Sequence, residues 1–175
     1  MTRERPPARK RPRAGKAPVR KASPTVSFDI VVEAGDRPAP RTLKGHVGKG
    51  IEAACRKLPP PAGAELAVTF TDDAHIRLLN RQFRKKDRPT NVLSFPAGPP
   101  GSMLLGDIVL AEETVSREAA EQGIGRNDHL IHLIVHGFLH LMGHDHEVES
   151  EALAMERLET AILAAIGIAD PYADR

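Results

Sequence analysis

Apolar and polar positions alternate through TVSFDIVVE, residues 25–33, with β-branched residues at several of them. That period of two predicts a half-buried strand. The pattern stops at RPAP and then changes period: Leu43, Val47, Ile51, Ala54 and Leu58 recur at helical spacing over about 42–57, until PPPAG ends the run. AELAVTF, 64–70, predicts a second strand. Asp72 is placed to cap a helix to about Phe83, with Ile76, Leu79 and Phe83 on its apolar face. After the polar RKKDRPT, NVLSF (91–95) and GDIVLA (106–111) predict two more strands around a Pro- and Gly-rich loop. Residues 112–122 predict a short helix. A strongly apolar helix, capped by Asn127 or Asp128, then runs to about Met142, and a last one spans about 147–166 on Leu153, Leu158, Ile162 and Ile166. Four strands interleaved with about five helices, the helices clustering late, predict one α+β domain.

Charge divides the chain. Residues 1–24 hold nine Lys or Arg, one Glu and five prolines, a net +8; the remainder has sixteen basic and twenty-two acidic residues, a net −6. The first segment has too little apolar surface to offset its ordering entropy and is expected to be disordered. It reads either as an electrostatic arm for nucleic acid or as a solvated extension. Its spaced prolines break the amphipathic helix of a transit peptide, and it lacks the apolar core of a signal peptide. The domain is expected over 25–172. Cys55 is the single cysteine, which rules out an intramolecular disulfide or a multi-cysteine zinc site and favours a reducing, cytoplasmic location. No apolar run approaches the roughly 20 residues of a membrane span.

The candidate chemistry lies in HGFLHLMGHDH, residues 136–146, which holds four of the eight histidines. His136 and His140 are i and i+4 on one helix face, so both imidazoles can reach one ion. His132 lies about 12 Å along the axis from His140, too far to join them. A straight helix likewise excludes His144. Gly143 supplies another route: glycine ends helices in the left-handed conformation, and the reversed chain can bring His146 back to the metal. His129, His132 and His144 are left to packing, support or the rim of the site, and Asp145 is a candidate hydrogen-bond acceptor for a ligand imidazole. The spacing is similar to the metzincin zinc signature H-E-x-x-H-x-x-G-x-x-H, but position 137 is Gly where those proteases carry their catalytic Glu. A metzincin-like zinc-site helix without the proteolytic base is expected.

The same stretch resembles the H-G-x-L-H-L-x-G-[YH]-D-H signature of the bacterial YbeY-type endoribonucleases, the rRNA maturation factor family. LNRQFRKKDRPTNVLSFP (79–96) and LGDIVLA (105–111) resemble that family's second and third blocks, and ADPY (169–172) fits its end. The likeness covers about residues 25 to 172. It implies a single α+β domain with a small, mixed four-stranded sheet, holding one zinc ion per chain on His136, His140 and His146. It also implies endonucleolytic cleavage of single-stranded RNA in rRNA processing, notably at the 16S 3′ end, and in ribosome quality control. The partners implied are rRNA, the small subunit or ribosome, and ribosome-assembly proteins, with no membrane. By motif position Arg84 is the family's functional arginine, suited to pair with the scissile phosphate. Lys85, Lys86 and Arg88 would track neighbouring phosphates. His144 stands where Tyr is commoner and would touch RNA at the rim. The basic extension has no counterpart in the shared core. With few aromatics in the chain to stack bases, shape and charge are expected to dominate over base readout. Two other readings compete: a metallohydrolase of peptides, disfavoured by Gly137, and a non-catalytic assembly factor with a structural metal, disfavoured by three ligands that leave a coordination position open.

Overall fold

The computed structural model describes residues 26–33, 40–146 and 148–173; the basic segment 1–24 and most of the RPAP break lie outside them. The described elements run β1 (Ser27–Val32), α1 (Pro40–Lys57), β2 (Glu65–Thr71), α2 (Asp73–Arg84), β3 (Val92–Pro96), β4 (Leu104–Ala111), α3 (Glu112–Gln122), α4 (Arg126–Leu141) and α5 (Glu149–Ala164). The sheet has the order β1-β2-β4-β3, parallel except for the antiparallel β3–β4 pair. This is the four-stranded α+β domain that the pattern of elements predicts, with the mixed sheet that the resemblance implies.

Alternation along each strand assigns the two faces. Leu66, Val68 and Phe70 of β2 and Ile108 and Leu110 of β4 point into the main core with Leu43, Val47, Ile51 and Ala54 of α1. The inward faces of α4 and α5 complete that core. The opposite face carries a smaller cluster in which Ile76 of α2 covers Leu93, Val109 and Ala111. Each fully buried large aliphatic or aromatic side chain contributes about 1.5–3 kcal/mol through the area it removes from water. Helix α4 is buried on almost every side, from Leu130 to Leu141, and its position on the sheet therefore sets the position of the histidines.

Two glycines bring the site's walls together. The β2–β4 register slips between Glu65 and Leu66, leaving Leu105 as an extra residue, and Gly106 beside it has φ +131°. A Cβ on Gly106 would lie 2.1 Å from the carbonyl oxygen of Phe95, so β3 pairs closely here only with glycine. On α4, a Cβ at Gly137 would come within 2.8 Å of Ile108 Cγ2 and 3.1 Å of Ser94 Oγ. The missing side chain lets the histidine helix sit against β3 and β4.

Three local expectations change. Asp72 does cap α2, accepting from the His75 backbone N–H at 2.8 Å. The cap of α4, however, is Gly125, with no side-chain bond; Asn127 and Asp128 fall inside the first turn, where the Asp128 charge still favours the positive end of the helix dipole. In α5 the buried positions are Met155, Glu159, Ile162 and Leu163, while Leu153 is exposed, because the helix is rotated to aim Glu159 at α4. Phe83 is likewise not in the core of α2 but 57% exposed.

Candidate metal centre

The last turn of α4 builds the site. His136 and His140 leave the same face, with their Nε2 atoms 3.1 Å apart. The helix then ends in a Schellman arrangement: the His144 N–H donates to the Leu139 carbonyl and the Gly143 N–H to that of His140, both at 3.0 Å. Gly143 has φ +90°, and a Cβ there would meet Pro100 Cγ at 2.7 Å. Both facts require glycine at this reversal. The chain returns, and the His146 ring sits with its centroid 5.5 Å from that of His136 and 5.0 Å from that of His140. One ligand nitrogen from each of the three lies within 4.8 Å of the others. The geometry thus unites the three histidines that the spacing selects.

The hydrogen bonds decide which nitrogens face inward. His140 Nδ1 lies 2.9 Å from the His144 carbonyl oxygen, which can only accept, so this nitrogen carries the proton. His136 Nδ1 lies 2.7 Å from Glu159 Oε1. Burial opposes charge on Glu159, yet hydrogen bonds from His132, His136 and Tyr172 outweigh it and hold its carboxyl at about 2. Glu159 is therefore an acceptor, and His136 too is protonated on Nδ1. Both Nε2 lone pairs then face one another across 3.1 Å. Tetrahedral coordination at about 2.0–2.1 Å would separate two ligand nitrogens by roughly 3.3 Å. Two converging lone pairs, each braced from behind by an acceptor, fit a divalent cation.

The bracing groups differ from the one expected. Asp145 accepts the backbone N–H of His146 at 2.7 Å, and the acceptors behind the imidazoles are Glu159 and the His144 carbonyl. Glu159 is fully buried and also receives His132 Nε2 at 3.3 Å and the Tyr172 hydroxyl. A stripe through Leu153, Leu158, Ile162 and Ile166 passes Glu159 by; Ile162 is buried and Leu158 and Ile166 pack against the core, but Leu153 is exposed and Met155 takes the inward place. Glu159 lies midway between Met155 and Ile162, and that is the available signal. His129 sits apart, with Nε2 at 2.9 Å from Glu118.

Acidification should weaken the metal-free protein in two steps. Burial, with His136 and His146 beside it, pushes the His140 imidazole down to about 4 from an ordinary 6.5. Between those values the unfolded chain binds the proton that the folded chain refuses, so stability falls as pH drops through this window. Glu159, ordinarily near 4.5 and here about 2, extends the loss below pH 4.5. Urea unfolding in chelator from pH 8 to 3 is expected to show both losses. A flat profile between pH 6.5 and 4 in the wild type, or an unchanged slope in His140→Asn, contradicts the assignment to His140.

A cavity of about 470 Å³ opens on the cluster and is lined by His136, His140, His144 and His146 together with Phe83, Arg84 and Phe95. Arg77, Arg117 and Arg126 are each paired with a carboxylate, whereas Arg84 has no ion-pair partner among the described residues. Lys86 and Arg88 line an adjoining cavity of about 300 Å³ that shares Arg84 and adds Arg117. Lys85 lines neither: it closes α2 at φ 60°, and its Nζ donates to the Gln82 carbonyl at 3.0 Å. On the other side, His132, His136, His146, Glu159 and Tyr172 border a third cavity of about 330 Å³. Cys55 is remote from this chemistry; burial pushes its thiol up to about 11. None of the described helices is long and apolar enough to cross a membrane.

Comparison with known proteins shows the family. The family model of endoribonuclease YbeY matches residues 31–167. A relative described as endoribonuclease YbeY from Chelativorans sp. (strain BNC1) is 54% identical over 157 residues, covering 87% of this chain and 96% of the relative. One from Rhodopseudomonas palustris is 51% identical over 152 residues, covering 83% and 80%. A solution structure from Thermotoga maritima, 23% identical, matches the fold with a TM-score of 0.52 over 81% of this chain and 91% of that one. With the matched region spanning β2 to α5 and both walls of the histidine cavity, the chain belongs to the endoribonuclease YbeY family.

Proposed function

We propose that the domain over 25–172 cleaves single-stranded RNA with one zinc ion on His136, His140 and His146 and with Arg84 on the scissile phosphate. Membership of the family makes the chain a metal-dependent, rRNA-processing endoribonuclease and hence a hydrolase. Zinc as the metal, maturation of the 16S 3′ end, ribosome quality control, the small subunit and assembly proteins as partners, and the cytoplasm as location complete the proposal. The observation that carries it is the convergence of three ring nitrogens within 4.8 Å, on a cavity that Arg84 also lines, with no ion-pair partner for Arg84 among the described residues.

Zinc, when bound, supplies Lewis acidity at a phosphoryl oxygen and lowers the pKa of a coordinated water toward about 7. The chain's own groups do the rest. Glu159 and the His144 carbonyl hold the Nδ1 protons of His136 and His140, which keeps both Nε2 atoms free and fixes the ring planes. The Arg84 guanidinium is free to grip a phosphate through two parallel N–H bonds and to offset the charge that grows on it during cleavage. Lys86 and Arg88, in the adjoining cavity, add positive charge along the RNA's path, Lys85 adds its charge outside both cavities at the end of α2, and His144 meets RNA from the lining of the histidine cavity. Proteolysis is disfavoured physically as well as by motif: a glutamate at 137 has no room while α4 rests on Ile108 and Ser94.

The test is cleavage of a labelled single-stranded rRNA fragment and of its duplex before chelation, after chelation and after zinc is returned. Cleavage of the single strand alone, lost and then restored, is expected. Cleavage that persists once metal content has fallen to zero, or that treats the duplex equally, defeats the reading.

A further inference from the structure

Phe83 is an unusual surface residue. It lies at the end of α2, next to Arg84, with 57% of its surface exposed. It keeps one aromatic neighbour, half-buried Phe95 of β3, at a ring-centroid distance of 5.0 Å and an interplanar angle of 66°. Such an edge-to-face contact occupies only part of a ring. Phe95 is in turn packed against the Ile76 cluster, which anchors the pair to the sheet. Both rings line the cavity of the three histidines and Arg84. The chain has five phenylalanines, one tyrosine and no tryptophan, and two of its few aromatic rings stand together at this cavity. Exposing a phenylalanine to water carries an apolar cost that a bound ring would remove.

We propose that Phe83, supported by Phe95, is a stacking platform for a nucleobase of the RNA whose phosphate Arg84 holds; this rests on the endoribonuclease reading. Adjacent side chains on one helix end then meet the two chemical halves of a nucleotide: the guanidinium takes the phosphate and the phenyl ring takes the base. Every base has a π face, so the contact is indifferent to sequence. A base inside a duplex is covered on both faces by its neighbours, so only an unpaired, unstacked one can lie on Phe83. Phe83 is thus a determinant of single-strand preference, and stacking joins charge and shape in substrate binding without reading base identity.

Binding is measured on the full chain in chelator, so that no cleavage intervenes, with two probes: a single-stranded oligouridylate and an abasic ribose-phosphate chain of the same length. Phe83→Ala is expected to weaken oligouridylate binding roughly 5- to 150-fold, the range for losing one base–aromatic stack, and to leave abasic binding unchanged. Phe83→Tyr should restore most of the loss. Phe83→Trp should give a fluorescence signal that oligouridylate quenches and the abasic probe does not, free of background because the chain has no tryptophan. An unchanged oligouridylate affinity in Phe83→Ala overturns the proposal, as does an equal loss on both probes. Loss of a self-associated species with RNA affinity intact overturns it in favour of a contact between copies. Should the wild type bind neither probe and cleave no RNA when zinc-loaded, the endoribonuclease reading itself falls.

Discussion

Replacing His140 by alanine is expected to reduce bound metal from one equivalent per chain to almost none and to lower RNA cleavage by at least about 10³-fold. Loss of a group behind a ligand typically costs 10- to 100-fold in metal affinity or activity, and loss of the ligand itself should cost more. His140 is the middle of the three: its ring centroid is 4.7 Å from that of His136 and 5.0 Å from that of His146. Its Nδ1 bond to the His144 carbonyl also ties the reversed segment back to the helix, so the substitution loosens His146 as well. The fold should survive, since the main core of α4 rests on Leu130, Ile134 and Phe138. Elemental analysis beside circular dichroism checks this. A folded His140→Ala protein that keeps one equivalent of metal would show that the ion is held elsewhere.

The second large effect is expected at Arg84, and it should separate binding of metal from catalysis. Arg84→Ala should leave metal content and thermal stability unchanged, because the side chain is exposed and has no ion-pair partner among the described residues. Cleavage should fall about 10²–10³-fold, the cost of removing one preorganised donor to transition-state charge. Arg84→Lys should recover only part, since an ammonium lacks the planar fork that grips two phosphate oxygens at once. Single-turnover rates at saturating RNA are the right readout; a change confined to KM would make Arg84 a uniform binding contact. Metal loss in Arg84→Ala would make it a structural support of the histidines.

These two residues were legible in different ways. His140 follows from helix geometry alone: the i, i+4 pair and the left-handed Gly143 are local features. The Gly143 turn forms as expected, with its two backbone bonds and φ +90°. Arg84 is marked only by its place in the family motif, because an arginine within RKKDR looks like any other solvated charge. Glu159 escaped because its partner His136 is 23 residues away on another helix, and no periodicity within α5 records that separation. Leu153 and Phe83 are exposed for a related reason: a repeat of three and four names an apolar stripe, but the neighbouring element decides how far that stripe turns toward it. Asp145 looked suitable by proximity, yet its carboxylate is used by the backbone of the next residue.

From its order of residues the chain determined the strand and helix sequence, the place where α4 must end, and which three imidazoles can share one ion, since each depends on steric preferences acting over a few neighbouring positions. Tertiary packing alone decided the rest. The close approach at Gly106 and Gly137 set α4 on the sheet, the rotation of α5 buried a carboxylate behind His136, and the meeting of α2 with β3 left Phe83 and Arg84 at the mouth of the cavity. Those relations join segments far apart in sequence, and it is the shape and volume of the shared core that fixes them.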